Sequence, residues 1–327
     1  MTRLPSPVVR RIVELASRAP SVHNTQPWQW RHRDDVLELF ADRSRQLSVG
    51  DPRGRNLVIS CGAALQHADA AAAALGWRAT IDRLPDGPES TMMARLHLSP
   101  HTAPREAQAT VDAIERRYTD RRRFTSWPIP EERLGHLASV ATQWGTHGLA
   151  LVDVTDRFRV ELLVARALEH QSADRAVVTE QAMWIDHGPA DGIPSSVLPG
   201  PAQLLVRRPN RFSIGLVDDS DQDVDSSDGL IVLCDATDEP LSWLKAGEGL
   251  SALWLAATTE GLSVVPLSQV IEVDETRDAL QHDVLGGMAR PLMLVRVGWQ
   301  AISRSELPRT TRRSPEELLD PPEGTTP

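Results

Sequence analysis

An α+β fold, built twice along one chain, is what this sequence predicts, on three observations. Two alanine-rich helices correspond residue by residue at a constant offset, strand-like segments accompany each, and a polar loop joins a helix to a strand near the N-terminus. The helices are VISCGAALQHADAAAAALGW, residues 58–77, and AGEGLSALWLAATTEGL, residues 246–262. At that offset Gly62, Leu65, Ala71, Ala72 and Gly76 align with Gly247, Leu250, Ala256, Ala257 and Gly261, small residues that let helices approach closely. LASRA at 15–19 and LASVA at 137–141 form a shorter echo. Alanine helices also match by accident, so the duplication is an expectation for the structure to meet.

Val8, Ile12, Leu15, Ala16 and Ala19 recur at helical spacing, and Pro20 is expected to end that helix. The loop that follows, within APSVHNTQPWQW, offers Ser21, Asn24, Thr25 and Gln26 as hydroxyls and amides that donate and accept hydrogen bonds. Trp28 and Trp30 then alternate into a strand, which suits a flat, hydrogen-bonding ligand at the loop as well as it suits an ordinary turn. Strands are expected at Val36–Phe40 and Ala79–Ile81, and then at Leu149–Val154, Leu230–Cys234 and Met293–Val297. Proline and polar residues in SPHTAPR place the boundary between halves near residues 100–106, giving 1–105 and 106–327. The second half carries an insertion at about 183–229, preceded by a single helix over Arg157–Met183 with Val160, Leu163, Val164, Ala167 and Leu168 on one face. HGPADGIPSSVLPGPAQ opens this insertion with residues that cannot continue a helix, and it reads as a lid. DDSDQDVDSSD, 218–228, reads as a solvated loop, because it lacks the glycine and terminal glutamate of a calcium site. The tail after Ser303 is extended and basic.

Composition narrows the function. The 327 residues are 41% hydrophobic, enough for a globular core, and no run is expected to supply the roughly 18 to 20 apolar residues of a membrane span. A cytoplasmic protein follows, since the N-terminus also lacks the apolar stretch of a signal peptide. The net charge of -10 opposes general binding to nucleic acid or anionic lipid, so any anion must be held locally. Lys245 is the single lysine, and nearly every cation is therefore a guanidinium, a planar fork suited to phosphate. Cys61 and Cys234 lie in apolar runs that predict buried thiols, neither disulfide nor metal ligands.

No glycine-rich nucleotide loop, HExxH or CxxC pattern is present. His23 has no evident carboxylate partner, and a structural role competes with that of a general base. In ERRYTDRRRFTSWPIPEERLGHL, residues 115–137, Arg117, Thr119 and Arg121 alternate; if extended, they present two forks and a hydroxyl on one side. A solvated basic run paired with Glu115, Asp120, Glu131 and Glu132 is the other reading, and composition does not separate the two.

PSVHNTQPW, RRYTDRRRFxxxPIPEE and AATTEGLSVVPLSQ, in this order and with matching helices between them, resemble the FMN-dependent nitroreductase superfamily, and nearly the whole chain resembles its Acg-like actinobacterial branch. The resemblance implies an α+β nitroreductase-like fold whose FMN sits between two subunits, so that a duplicated chain is a single-chain pseudodimer, with further oligomerisation left open. By motif, Pro20, Ser21, Val22 and Asn24, with Gln26 behind them, form the loop at the flavin edge. Arg117, Thr119 and Arg121 take the phosphate-binding role, Pro266, Leu267 and Ser268 pass the reactive flavin nitrogen, and Arg309 with Arg312 completes the phosphate clamp. The first half lacks the alternating arginines, and the second has THGL at 146–149 in place of the polar loop, which implies one FMN per chain. Tyr118 stands where many members carry a second arginine. The activity implied is an NAD(P)H-dependent oxidoreductase passing electrons to a small-molecule acceptor, with no obligatory protein acid or nucleophile. The competing reading, drawn from the insertion and the loss of one site, is a catalytically weak FMN-binding, storage or sensing protein with an occluded flavin.

Overall fold

The computed structural model describes residues 4–198, 228–300 and 307–320. Helix α1, Ser6–Ala16, buries Val9, Ile12, Val13, Leu15 and Ala16, and it stops four residues before Pro20. Ser17 is the cause of the earlier stop: its Oγ donates to Glu14 O at 2.7 Å, competing with the helix ladder. A short turn then carries the chain to the polar loop, whose Val22–Asn24 form one 3-10 turn.

Strands β1, Trp28–Arg33, and β2, Val36–Ala41, make an antiparallel hairpin. Helix α2, Arg55–Ala74, follows and ends before Gly76, whose φ of +82° starts the turn into β3, Trp77–Arg83. Strand β4, Met92–Pro100, was not anticipated; it lies between β2 and β3 in the sheet order β1-β2-β4-β3. The second half runs through α3, Ala107–Arg116, and α4, Glu131–Thr142, to β5, His147–Ala150. That strand is shorter than the expected Leu149–Val154 because Asp153 caps the next helix, accepting from the N–H groups of Thr155 and Asp156.

The single helix expected over Arg157–Met183 is two, α5 at Val154–Ala173 and α6 at Arg175–Met183. Asp174 between them has ψ of 107° and accepts from Ala176 N and Val177 N, so it restarts the helix instead of continuing it. Beyond a gap in the described residues come β6, Gly229–Asp235; α7, Pro240–Thr259; β7, Ser263–Pro266; α8, Gln269–Glu272; α9, Asp274–Ala279; and β8, Arg290–Gly298. The order of the second sheet is β5-β6-β8-β7. Most of the expected lid and the acidic stretch fall outside the described residues, as do 301–306 of the tail.

Both sheets are antiparallel and repeat one topology, down to a register shift in the second strand of each: Leu39/Phe40 against β4, Leu233/Cys234 against β8. Helices α2 and α7 pack side by side at the centre. A Cβ on Gly62 would lie 2.0 Å from Leu244 O, and one on Gly247 would lie 2.0 Å from Ile59 O. These two contacts exchange when the offset that aligns the helices is applied, and Gln66 and Ser251, also aligned, touch at 2.6 Å. One apolar core runs through both halves, joining Ile59 and Leu65 to Leu244, Leu253 and Trp254. Helix α2 is long and apolar enough to qualify as a membrane span, against the expectation that no run would be, and 78% of its apolar window is buried inside the protein. The tail returns to the first half, where Leu319 bridges Trp30 beside the edge of β1 and α10, Pro315–Leu318, packs on α1.

Candidate functional site

Among the described residues, the polar loop gathers three of the non-glycine positions with positive φ. His23, Asn24 and Gln26 all have φ between 46° and 55°, a region disfavoured for side-chain-bearing residues. Hydrogen bonds over-determine it: Ser21 Oγ accepts from Gln26 N at 3.0 Å, and Ser60 Oγ of α2 accepts from Val22 N at 3.2 Å. Asn24 Nδ2 donates to Gly192 O at 2.9 Å and to Thr311 O at 3.2 Å. Gln26 Nε2 donates to Ala190 O, and Gln26 Oε1 accepts from Arg313 N, both at 2.8 Å. Those two amides thus clamp the described start of the insertion and the tail onto the loop, leaving Pro20, Ser21, Val22 and His23 to face open space.

That space is a cleft of about 760 Å3, part of it open to solvent, at the junction of the two halves. Pro20–His23 form one wall. Asn56, Ile59, Ser60 and Ala63 of α2 form the floor with Leu250 and Trp254 of α7. Thr119 and Arg121 close one end, and Val265–Gln269 with Met293 form the opposite wall. No aspartate, glutamate, cysteine or lysine is among these lining residues. The lining is apolar on its broad faces, with hydroxyls and amides at its edges, and the described insertion residues take no part in it.

A cluster of arginines lies behind Trp254. Arg117 is 6% exposed, stacks 4.5 Å from the centre of the Trp254 ring and donates to Arg18 O at 2.7 Å. Burial first, then Arg312, Arg309 and Arg18, push its guanidinium well below the usual arginine value. Burial, with Arg18, likewise lowers Arg312 to about 10, still charged at neutral pH. Nε of Arg117 and Nε of Arg312 have no hydrogen-bond partner among the described residues. His67 is fully buried and held neutral by burial and by Arg117 and Arg312, and its Nδ1 lies 2.6 Å from Ser251 Oγ. Arg309 donates to Glu115 O and sits 5.7 Å from the Tyr118 ring. Desolvated positive charges that repel each other and keep unused donors make a place where an anion would be favoured.

A buried ion pair anchors the segment that carries these groups. Arg122 holds Asp120 through bonds of 2.6 to 3.1 Å, and Arg296 donates to Arg122 O at 3.2 Å while stacking 4.4 Å from the centre of the Phe124 ring. Residues 117–121 run outside any helix, with Thr119 and Arg121 lining the cleft, whereas Arg117 does not line it and lies in the cluster behind Trp254, apart from the other two.

The nitroreductase family model matches residues 114–299. A Mycobacterium tuberculosis H37Rv protein provisionally named an NAD(P)H nitroreductase is 37% identical over 319 residues, covering 96% of this chain and 92% of the relative. Another from that strain, provisionally named NAD(P)H nitroreductase acg, is 31% identical over 332 residues, 97% of each. The chain belongs to the nitroreductase family. Among solved structures, an FMN-bound nitroreductase from Bacteroides fragilis aligns with a TM-score of 0.40 and 13% identity, over 62% of this chain and 94% of its own.

The matched region begins just before Arg117 and ends just after β8, so this nitroreductase-family chain draws one wall and half the floor of its cleft from outside it. Asn56, Ile59, Ser60 and Ala63 were not foreseen as cleft residues. Their spacing puts them on one helix face, and Asn56 and Ser60, four apart around the apolar run Leu57–Ile59, were the available signal. Arg18 gave no signal, since only the fold brings it to Arg312.

Proposed function

We propose that this chain is an FMN-binding oxidoreductase that takes electrons from NAD(P)H and delivers them to a small-molecule acceptor, with one flavin across the junction of halves 1–105 and 106–327. The observation that carries this is the uncompensated arginine cluster joined, through Trp254 and residues 117–121, to an apolar cleft without acidic residues. The residues present fit the group. Arg117, Arg309, Arg312 and Arg18 would hold the phosphate, and the buried Nε donors of Arg117 and Arg312 await an acceptor. Ile59, Leu267 and Met293 would pack on the ring system, while Ser21, Asn56 and Ser268 reach its polar edges. FMN supplies hydride and single-electron transfer.

The protein contributes binding and electrostatics. Arg121 would supply positive potential where reduction develops negative charge, and the strained loop is preorganised, so it needs no rearrangement at that moment. Pro266–Ser268 hold the opposite wall, fixed by Leu267 N donating to Leu294 O at 2.8 Å. The repeated sheet topology and the reciprocal Gly62 and Gly247 contacts support a duplicated ancestor in which one chain replaces two subunits. Each half then keeps a different part of a single site.

The test is spectroscopic. The purified chain is expected to carry about one equivalent of flavin, and anaerobic NADPH or NADH should bleach it faster than free FMN. A chain that neither carries nor takes up FMN ends the proposal. Tight FMN without accelerated bleaching would instead make it a flavin-holding protein.

A further inference from the structure

The offset that aligns α2 with α7 also gives residues of the cleft lining counterparts elsewhere at the helix junction. Ser60, Ala63 and Trp254 correspond to Lys245, Glu248 and Asp69. The sheets extend the correspondence. Strands β3 and β7 each end the order of their sheet, and they run in one register, Trp77 opposite Pro100 as Ser263 is opposite Gly298, and Thr80 opposite His97 as Pro266 is opposite Val295. Three residues further on, Arg83 takes the place of Gln269 in the cleft wall. The loops agree as well. Ser60 Oγ accepts from Val22 N in the polar loop after α1, and Lys245 meets the turn after α4, where a Cβ on Gly145 would lie 3.4 Å from its Cδ.

The chemistry of this second place differs from that of the cleft. A hydroxyl, a methyl and an indole ring give way to an ammonium and two carboxylates, and an amide gives way to a guanidinium. Arg83 reaches from β3 of the first half to α7 of the second. Its Nε and Nη2 donate to the two carboxylate oxygens of Glu248, each at 2.8 Å, in bidentate geometry. Glu248 is 0% exposed, and burial pushes its carboxyl up to about 7 against the pull of Arg83 and Lys245. Burial likewise raises Asp69 to about 6 against Arg83. Such a carboxylate depends on the guanidinium beside it, because a buried charge left without its partner is costly.

We propose that Arg83 and Glu248 plug a second ring-sized cleft left by the duplication, so that an internal ion pair stands where a second flat ligand would lie and ties the two halves together there. The plug rests on the duplicated plan proposed above and not on FMN itself.

Arg83→Gln combined with Glu248→Ala gives this place the amide and the methyl that the open cleft has at Gln269 and Ala63. The probe is lumiflavin, an uncharged flavin ring without the phosphate tail, followed by equilibrium dialysis against the full chain in saturating FMN. The double variant should take up about one equivalent of lumiflavin more than the parent. The readout is the difference between the two chains, so it holds whether or not the parent binds FMN. Denaturant unfolding is the second measurement. Arg83→Gln alone strands a buried carboxylate and should lower the folding equilibrium constant about tenfold or more, and adding Glu248→Ala should restore part of that loss. No extra lumiflavin in the double variant, a lumiflavin site already present in the FMN-loaded parent, or a double variant that folds less well than Arg83→Gln alone overturns the plug. A chain that binds no FMN but whose double variant gains a lumiflavin site sinks only the flavin reading, and an FMN-loaded chain whose double variant gains none sinks only this one.

Discussion

Arg117 is held at a cost to the free protein. Its charge is buried close to Arg18, Arg309 and Arg312, and among the described residues the stacking on Trp254 and one bond to Arg18 O offset the burial. Arg117→Met should therefore leave the flavin-free protein unfolding at or above the parent's temperature, while weakening FMN retention by about 10- to 100-fold, the loss of one charge-assisted contact of about 1.5 to 3 kcal/mol. Calorimetry of the flavin-free form and equilibrium dialysis of FMN check the two halves of that statement. A parallel loss of both would make Arg117 a structural residue. The alternation of Arg117, Thr119 and Arg121 was legible in the sequence because an extended backbone has a period of two. The fates of Asn24 and Gln26 were not. Their partners, Gly192, Thr311, Ala190 and Arg313, lie more than 160 residues away, and an amide in a loop looks the same whether it faces a ligand or another strand of chain.

Helices α2 and α7 hold the site together because glycines let their backbones touch. Gly62→Ala would drive a Cβ to 2.0 Å from Leu244 O, against backbone that cannot rotate away. The expected loss is about 3 kcal/mol or more, read by denaturant unfolding. Gly135→Ala in α4 is the contrast: nothing lies within 4 Å of the new Cβ, and a gain of about 0.5 to 1 kcal/mol is expected from reduced chain entropy. Destabilisation by both, or by neither, would refute the close-approach argument. The helices themselves were readable from composition, and so were the aligned glycines. The break at Asp174 was also written in the chain as a capping residue, but the apolar face of α5 continues past it in period and hid the stop. Strand β4 was overlooked although Ala94, Leu96 and Leu98 alternate with Arg95, His97 and Ser99, because it directly precedes the proline-bearing boundary.

Asp51 and Asp69 are both raised by burial to about 6, Asp69 against the pull of Arg83. A carboxyl whose folded value lies above its unfolded value of about 4 stabilises the fold in full below pH 4 and loses that contribution as pH rises through about 6. The flavin-free chain should accordingly lose stability between about pH 4 and 6, by an amount on the order of 2 to 3 kcal/mol for Asp51. Asp51→Asn should flatten the profile of unfolding temperature against pH in that window. A profile unchanged by the substitution would show that Asp51 titrates normally. At this scale the repeated sheet topology was signalled early, by two helices matched at one offset. That the tail doubles back to bridge Trp30 was not, since an extended basic segment carries no record of the edge it will meet.

Local pattern, by itself, determined the two central helices and most of the strands, which loop is polar, and which arginines alternate, because those properties depend on neighbours within a few residues. The tertiary structure alone decided which side chains reach open space. Whether Ser21 faces a cleft while Asn24 is spent on packing, how four arginines meet behind one tryptophan, and why Arg83 reaches Glu248 all depend on contacts between distant parts of the chain. Burial and the low dielectric that comes with it are properties of the assembled core, and no stretch of residues carries them before the chain has folded.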